Sequence, residues 1–310
     1  MAHKNIGSKL GLAFSVAVVL LVAGVVLFMR PNTVYALDQN NCLSCHGNPN
    51  FSITGPDGKK ISLYVDKVAL DSSAHQYINC VTCHPTHIQL PHPTDTPLTK
   101  QGVAQKCGSC HQYEYQQHLT SIHGQQLAQG NNDVATCTDC HSDNSNPHNV
   151  KRILEPDSST FPKSIADTCG KCHNDPKLMA NYGIVQNVYE TYMRSFHGKA
   201  TLLASTELKQ LDKATCVSCH GVHDIKAVTD PTSPVAGMDN LAKTCETCHP
   251  GAGVKFASSF LGHSDSSTTT NKPVHTTQVI FDALLKTVVA AGAIIIILAI
   301  VRYARNGWKG

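Results

Sequence analysis

Every cysteine in this 310-residue chain falls in one five-residue pattern, Cys-x-x-Cys-His, and the pattern occurs seven times. The copies are Cys42/Cys45/His46, Cys80/Cys83/His84, Cys107/Cys110/His111, Cys137/Cys140/His141, Cys169/Cys172/His173, Cys216/Cys219/His220 and Cys245/Cys248/His249. Two thiols at this spacing add across the two vinyl groups of a porphyrin and form two thioethers. The histidine that follows is then placed under the ring, with its imidazole on the iron. Seven copies that use all 14 cysteines leave none for a disulfide framework. A thioredoxin-type redox pair needs one Cys-x-x-Cys in a βαβ context, and zinc sites pair two such halves, which an odd count cannot do evenly. The chemistry expected is seven covalently attached haem c groups. Their proximal ligands are His46, His84, His111, His141, His173, His220 and His249.

Iron in haem takes a sixth ligand, and the remaining histidines supply candidates. Motifs one, three, five and seven are each followed by a histidine in a helical-looking stretch: His75 (Ser73-Ala-His75), His123 (Ser121-Ile-His123), His197 (Ser195-Phe-His197) and His263. Motifs two, four and six are each trailed by one, His87, His148 and His223. The repeating unit is therefore motif, Ser-x-His segment, motif, trailing histidine, and it occurs three times before a fourth copy stops halfway. These seven distal candidates match seven irons, with His3, His92, His118 and His275 left over. Methionine at Met179, Met193 or Met238 is the alternative ligand, but the spacing of these residues does not repeat. Two imidazoles per iron give a six-coordinate, low-spin centre with no open position for substrate.

The elements that present these groups read as short helices. Tyr113 to Gly124 and Ile184 to Gly198 carry apolar and aromatic residues near helical spacing, with the histidine in the last turn and glycine as the residue that ends it. A hairpin around Phe51 to Leu63, turning at Gly55-Pro56-Asp57-Gly58, is the one strand signal. Pro91 to Pro97 reads as a turn-rich loop. With 8 Phe and 1 Trp, side chains are thin filling for a core of this length. Between Leu37 and Ile280 there are about 35 residues per haem. That is too few to wrap each porphyrin in its own domain, so the porphyrins share walls, serve as the interior, and tie distant segments together. The haem-free region is expected not to fold. The fold class expected is mainly α with much irregular structure, a haem-packed cytochrome domain of repeated paired motifs, plus one or two transmembrane helices.

The formal net charge of +3 divides unevenly. Seven of the 25 Lys/Arg flank the two apolar ends, leaving 18 against 21 Asp/Glu between Leu37 and Ile280. There is no basic stripe of the kind nucleic acid requires. Leu10 to Met29 is uncharged, follows Lys4 and Lys9, and precedes a small-x-small site at Val34-Tyr35-Ala36. It fits both a cleaved secretory signal and a retained anchor. Ala283 to Val301 carries one charge, Lys286, and is followed by Arg302, Arg305 and Lys309, with Tyr303 and Trp308 as interface anchors. The positive-inside rule then places the tail in the cytoplasm and the cysteine-bearing region outside the cytoplasmic (inner) membrane, on the periplasmic side. The organisation expected is 1–36 signal or N-terminal anchor, 37–263 heptahaem domain, 264–278 linker, 279–302 transmembrane helix and 303–310 basic tail.

On its seven motifs and the Ser-x-His-Gly segments at Ser121 to Gly124 and Ser195 to Gly198, the chain resembles membrane-anchored multihaem c-type cytochromes of respiratory chains, electron-transfer proteins of metal-reducing bacteria among them. The resemblance implies an electron relay rather than an enzyme. Electrons would come from quinol or from a b-type cytochrome or other quinol-oxidising membrane subunit, and would leave to periplasmic or outer-membrane cytochromes. The short tetrahaem quinol dehydrogenases share an N-terminal anchor but lack a C-terminal helix, so this chain departs from that group. The rival function is a multihaem reductase of nitrite, hydroxylamine or sulfite, which needs one open iron. The nitrite reductases replace a motif histidine by lysine, and no Cys-x-x-Cys-Lys occurs here. A filament-forming wire is disfavoured by two membrane segments. Lys272, His275, Asp282 and Lys286, near the outer end of the last helix, read more readily as interface solvation than as a quinol site.

Overall fold

The computed structural model describes residues 39–55, 58–87, 92, 98–204, 212–260, 262–263 and 272–307. The N-terminal apolar segment and its small-x-small site, His3, Pro56 and Asp57 of the hairpin turn, all of the 91–97 loop but His92, residues 264–271 of the linker, and Trp308 and Lys309 lie outside the described residues. The chain divides into two compact units, Met1–Tyr64 with Ile78–Pro93, and Val65–Tyr77 with Thr94–Gly310. Each is taken in turn over its described residues.

In the first unit, motif one closes helix α1 (Gln39–His46). The hairpin follows where the sequence places it, as β1 (Ser52–Thr54) paired antiparallel with β2 (Lys60–Ser62) in the register Ser52↔Ser62, Ile53↔Ile61 and Thr54↔Lys60. Gly58 takes φ +76° in the connecting turn and donates to Gly55 O at 3.0 Å, a conformation glycine adopts without penalty. Motif two forms the single turn α2 (Cys80–Cys83).

The second unit begins with the short α3 (Lys67–Asp71), whose first N–H groups are capped by Asp66. It continues with α4 (Lys100–Gly108), α5 (Gln112–Thr120), α6 (Ile122–Ala128) and α7 (Cys137–His141). Then come α8 (Pro162–His173), α9 (Pro176–Asn181), α10 (Val188–Arg194), α11 (Phe196–Leu203) and α12 (Cys216–His220). The last elements are α13 (Gly237–Glu246), α14 (Val254–Ala257) and α15 (Lys272–Asn306). Among the described residues the largest fully buried side chains are serines: Ser73, Ser121, Ser142, Ser158 and Ser233. Large apolar groups such as Phe196 and Tyr77 stand 95% and 87% exposed. Buried apolar side chains among the described residues are few, with Leu70, Leu127, Phe161 and Met179 the larger ones.

The two segments expected as single helices ending in glycine are each two helices. Tyr113–Gly124 breaks at Ser121, and Ile184–Gly198 breaks at Ser195. Each serine is the N-cap of the next helix. Ser121 Oγ accepts from Gly124 N–H at 3.0 Å and donates to His118 O at 2.6 Å. Ser195 Oγ accepts from Gly198 N–H at 3.2 Å and donates to Tyr192 O at 2.6 Å. The histidine therefore sits in the first turn of the second helix, not the last turn of the first. Glycine is there for close approach: a Cβ on Gly124 would lie 1.9 Å from His118 O, and one on Gly198 2.2 Å from Tyr192 O.

The structural repeat extends further than the sequence showed. His118 Nε2 meets Ala135 O at 3.2 Å, and Tyr192 Oη donates to Ala214 O at 3.0 Å. Both carbonyls lie just before an even-numbered motif. Those motifs open alike, with reciprocal capping boxes between Thr136 and Asp139 and between Thr215 and Ser218. The odd motifs also agree: a Cβ on Gly108 or Gly170 would strike the ring of Tyr115 (2.5 Å) or Tyr189 (2.8 Å). Helix α15 is 35 residues, about 52 Å at the helical rise. Its stretch His275–Arg305 is long and apolar enough to cross a membrane.

Candidate metal centres

The motif histidines meet second histidines in a regular way. His75 faces His111 with ring centroids 6.2 Å apart, His123 faces His173 at 6.3 Å, and His197 faces His249 at 6.2 Å. His141 faces His223 at 6.0 Å and His220 faces His263 at 6.2 Å. His46 faces His92 at 6.0 Å with ring planes 8° apart. An imidazole nitrogen binds a metal at about 2 Å, so one metal held from both sides sets two ring centroids roughly 6 Å apart. Six motif histidines thus have the spacing a bis-imidazole iron demands, and the residues present fit haem on both the thioether and the axial sides.

The pairing has an order. Each histidine lying between the two motifs of a unit faces the first motif of the following unit: His75 reaches motif three, His123 motif five and His197 motif seven. The later histidines reach back, His223 to motif four and His263 to motif six. Each of these five pairs brings together two different stretches of the repeat, and a metal held between the rings would tie neighbouring repeats together.

The cysteines pair as well. Cys42 and Cys80, Cys107 and Cys137, and Cys169 and Cys216 lie close enough for one thiol to act on the titration of the other. These are the leading cysteines of motifs one and two, three and four, and five and six. The hydrogen bond from Cys137 brings the Cys107 thiol down to about 7, while Cys137 is pushed up. The same hydrogen bonding lowers Cys216 and raises Cys169. Burial, followed by Cys42 beside it, raises Cys80 to about 11. The leading attachment points of each motif pair therefore adjoin.

The trailing cysteines divide into two sets, which motif spacing alone does not distinguish. Cys110 and Cys248 are exposed, as are Cys45 and Cys83, whereas Cys140, Cys172 and Cys219 are partly buried. Cys110 follows the end of α4 and Cys248 follows the end of α13, each one turn past its leading cysteine. Each sulfur accepts from the adjoining hydroxyl, Ser109 Oγ at 3.9 Å from Cys110 Sγ and Thr247 Oγ1 at 3.8 Å from Cys248 Sγ. Cys140, by contrast, has Cys172 of the next motif nearby. Cys110 and Cys248 would each hold a porphyrin edge through a thioether.

Neutral imidazole is the ligating form, and burial enforces it. The His123 ring is pushed down to about 4, first by burial and then by His173 and His118. Burial is also the leading cause of the lowered values of His75, His141, His173, His197, His220, His223 and His263. The outer ring nitrogens are anchored in two cases. His46 Nδ1 lies 2.8 Å from Leu63 O, and His263 Nδ1 lies 3.1 Å from Thr191 Oγ1. Each contact fixes the ring and leaves Nε2 for a metal. Between motifs three and four, Lys100 pairs with Asp139 at 3.2 Å and donates to Val134 O at 3.0 Å. Burial pushes the Asp139 carboxyl up, but hydrogen bonds from Ser145 and the Thr136 N–H, with Lys100 alongside, outweigh it and hold the group below the usual carboxylate range.

Two expected distal residues stand differently. The ring of His87 is 5.7 Å from His84 of its own motif at 90°, and 4.3 Å from His92 at 83°. His148 follows α7 in a loop closed by the Ser142↔Val150 bridge, its N–H donating to Asn146 Oδ1 at 3.0 Å. Of the histidines left over by the count, His92 takes a facing position. His118 spends Nε2 on a backbone carbonyl, as Tyr192 spends its hydroxyl in the next repeat. His275 lies on α15. Met179 is buried at 4% exposure within α9 and Met238 is exposed. The signal that would have found His92 is absent from local spacing, because its partner lies across a hairpin rather than along a helix.

Comparison with known proteins agrees with this architecture. Residues 36–230 match the family described as outer membrane cytochrome MtrC/MtrF-like, domains II/IV. The chain is also 27% identical over 237 residues to "Multiheme cytochrome MtrA" of Shewanella baltica (strain OS185), an alignment covering 72% of this chain and 60% of that protein. The chain thus spans less than two thirds of that relative's length. No solved structure matches.

Proposed function

From the premise that this chain belongs to the MtrC/MtrF-like family of multihaem c-type cytochromes, we propose that it is a membrane-attached heptahaem electron relay. The observation that carries this reading is the set of six motif histidines that each face a second imidazole at 6.0–6.3 Å. Haem c bound at such sites supplies a one-electron ferric–ferrous couple that is closed to substrate on both faces.

The residues divide the work. The fourteen cysteines fix the porphyrin edges, and the contacts between leading cysteines bring successive attachment points together. The exposed thiols of Cys45, Cys83, Cys110 and Cys248 suit porphyrin edges that reach the surface, where electrons enter and leave. The proximal histidines His46, His84, His111, His141, His173, His220 and His249 hold one axial position each. His75, His123, His197, His223 and His263 hold the opposite positions from other repeats, and His148 belongs to the same distal set. Leu63 O and Thr191 Oγ1 orient two of these rings. The acidic balance of the region between Leu37 and Ile280 suits docking to basic partners.

Helix α15, with Arg302 and Arg305 near its end, supports attachment to the cytoplasmic membrane with the tail inside and the haem region in the periplasm. Outer-membrane spans are closed β-barrels, whereas an apolar helix of this length suits the inner bilayer. The electron source in this reading is the quinol pool, through a b-type cytochrome or another quinol-oxidising subunit. The acceptors are periplasmic or outer-membrane cytochromes. Purification of the membrane complex tests the assignment: a co-eluting quinol-oxidising subunit and quinol-driven reduction of the haems are expected, and a complex reduced only by soluble donors would overturn it.

A further inference from the structure

We propose that His92 is the second axial ligand of the iron held by His46, and that His87 braces the His92 ring instead of ligating. The inference rests on the reading of Cys42, Cys45 and His46 as a haem site. His92 was left over when distal candidates were counted by spacing, and the trailing position after motif two went to His87.

The geometry reverses that choice. His46 and His92 are 6.0 Å apart with planes 8° from parallel, a separation that matches the five pairs of the other unit. His46 is already held for the task. Its Nδ1 lies 2.8 Å from Leu63 O at the end of the hairpin, and Phe51 stands edge-on to its ring at 5.2 Å and 88°. These contacts fix the plane and leave Nε2 as the nitrogen available to a metal.

His87 is poorly placed to close its own motif's iron. It lies three residues beyond His84, and a fully extended chain of three residues spans at most about 11 Å. That chain would have to leave one face of a porphyrin, pass its rim and return to the other face. Instead the His87 ring packs edge-on against His92 at 4.3 Å, with its Nδ1 3.0 Å from Thr86 Oγ1. An edge-to-face neighbour at that distance restricts rotation of the His92 ring. With His92 in place of His87 the distal set is His75, His92, His123, His148, His197, His223 and His263.

The test uses the full-length, haem-loaded protein and three variants: His92→Ala, His92→Met and His87→Ala. Haem content is read by the pyridine haemochrome assay, spin state by electron paramagnetic resonance, and open sites by carbon monoxide titration of the reduced protein. His92→Ala is expected to keep seven haems while turning one of them high-spin and able to bind carbon monoxide. His92→Met is expected to stay low-spin while raising the potential of one haem, and it carries the test if the alanine variant does not accumulate. His87→Ala is expected to leave all haems low-spin. A high-spin haem in His87→Ala, with His92→Ala and His92→Met spectroscopically unchanged, would overturn the proposal and return the ligand to His87. If Cys42→Ala/Cys45→Ala keeps all its haem, the parent reading of motif one fails, a result distinct from failure of His92.

Discussion

His123 and His173 face each other at 6.3 Å although fifty residues separate them, one in the first turn of α6 and the other at the end of α8. Neither helix is long, and among the described residues the largest fully buried side chains are small and polar. A metal held by both rings would therefore supply much of what apolar packing does elsewhere. Replacing His123 by alanine should convert one haem to high spin and lower stability by about 3 kcal/mol or more. Chemical denaturation of the loaded protein, followed by far-ultraviolet circular dichroism, measures the second effect. An unchanged midpoint would mean that the helices hold together without the ligand.

The Ser-x-His-Gly corner makes a sharper steric prediction. A Cβ at Gly124 or Gly198 would collide with a backbone carbonyl that cannot swing away, because the serine N-cap pins the same corner. Gly124→Ala and Gly198→Ala should each cost about 1–3 kcal/mol. Gly253→Ala, with nothing within 4 Å of its Cβ position, should stay within about 0.5 kcal/mol of the parent. Equal thermal midpoints for all three would contradict the close approach.

The match between His118 and Tyr192 can be used as a swap. Both send a polar ring tip to the carbonyl before an even-numbered motif, but His118 Nδ1 is buried without a partner while the Tyr192 hydroxyl also meets Thr201 at 3.1 Å. His118→Tyr should therefore be tolerated better than His118→Ala. Tyr192→Phe should cost about 1 kcal/mol through loss of its hydrogen bonds. The comparison is between melting temperatures of loaded proteins, and a tyrosine less stable than alanine at position 118 would break the equivalence of the repeats.

Topology is open to labelling because every native thiol is assigned to a haem. A cysteine replacing Gly310 would be the free thiol of the mature protein. It should react with a membrane-impermeant maleimide only after the cytoplasmic membrane is breached, whereas Ser266→Cys should react in cells whose outer membrane alone is opened. Labelling of Gly310→Cys under that second condition would invert the proposed orientation of α15. The parent protein serves as the control: Cys45, Cys83, Cys110 and Cys248 are exposed, so maleimide uptake by the loaded parent would mean that a native thiol carries no thioether.

Much of this was legible in the residues. Cys-x-x-Cys-His is local covalent chemistry, so position along the chain is enough to recognise it. The hairpin at Phe51 to Leu63 and the terminal apolar helix are equally local. The Ser121 and Ser195 corners were misread because apolar spacing continues across the break, and a glycine after a periodic run resembles a helix end. Serine three residues before glycine was the overlooked sign of a new N-cap. Which histidine faces which motif was hidden because the facing rings come from segments up to 82 residues apart, as for His141 and His223. Spacing along the chain does not say that the His92 ring faces His46.

The central claim is that every iron is closed by two imidazoles on a chain carrying seven thioether-bound haems. Electron paramagnetic resonance of the oxidised, full-length protein, with intact mass on the same sample, tests it most directly. The account predicts a mass of polypeptide plus seven haems, low-spin ferric signals throughout and no carbon monoxide uptake on reduction. A high-spin signal from the native protein, or a mass with fewer haems, would contradict it.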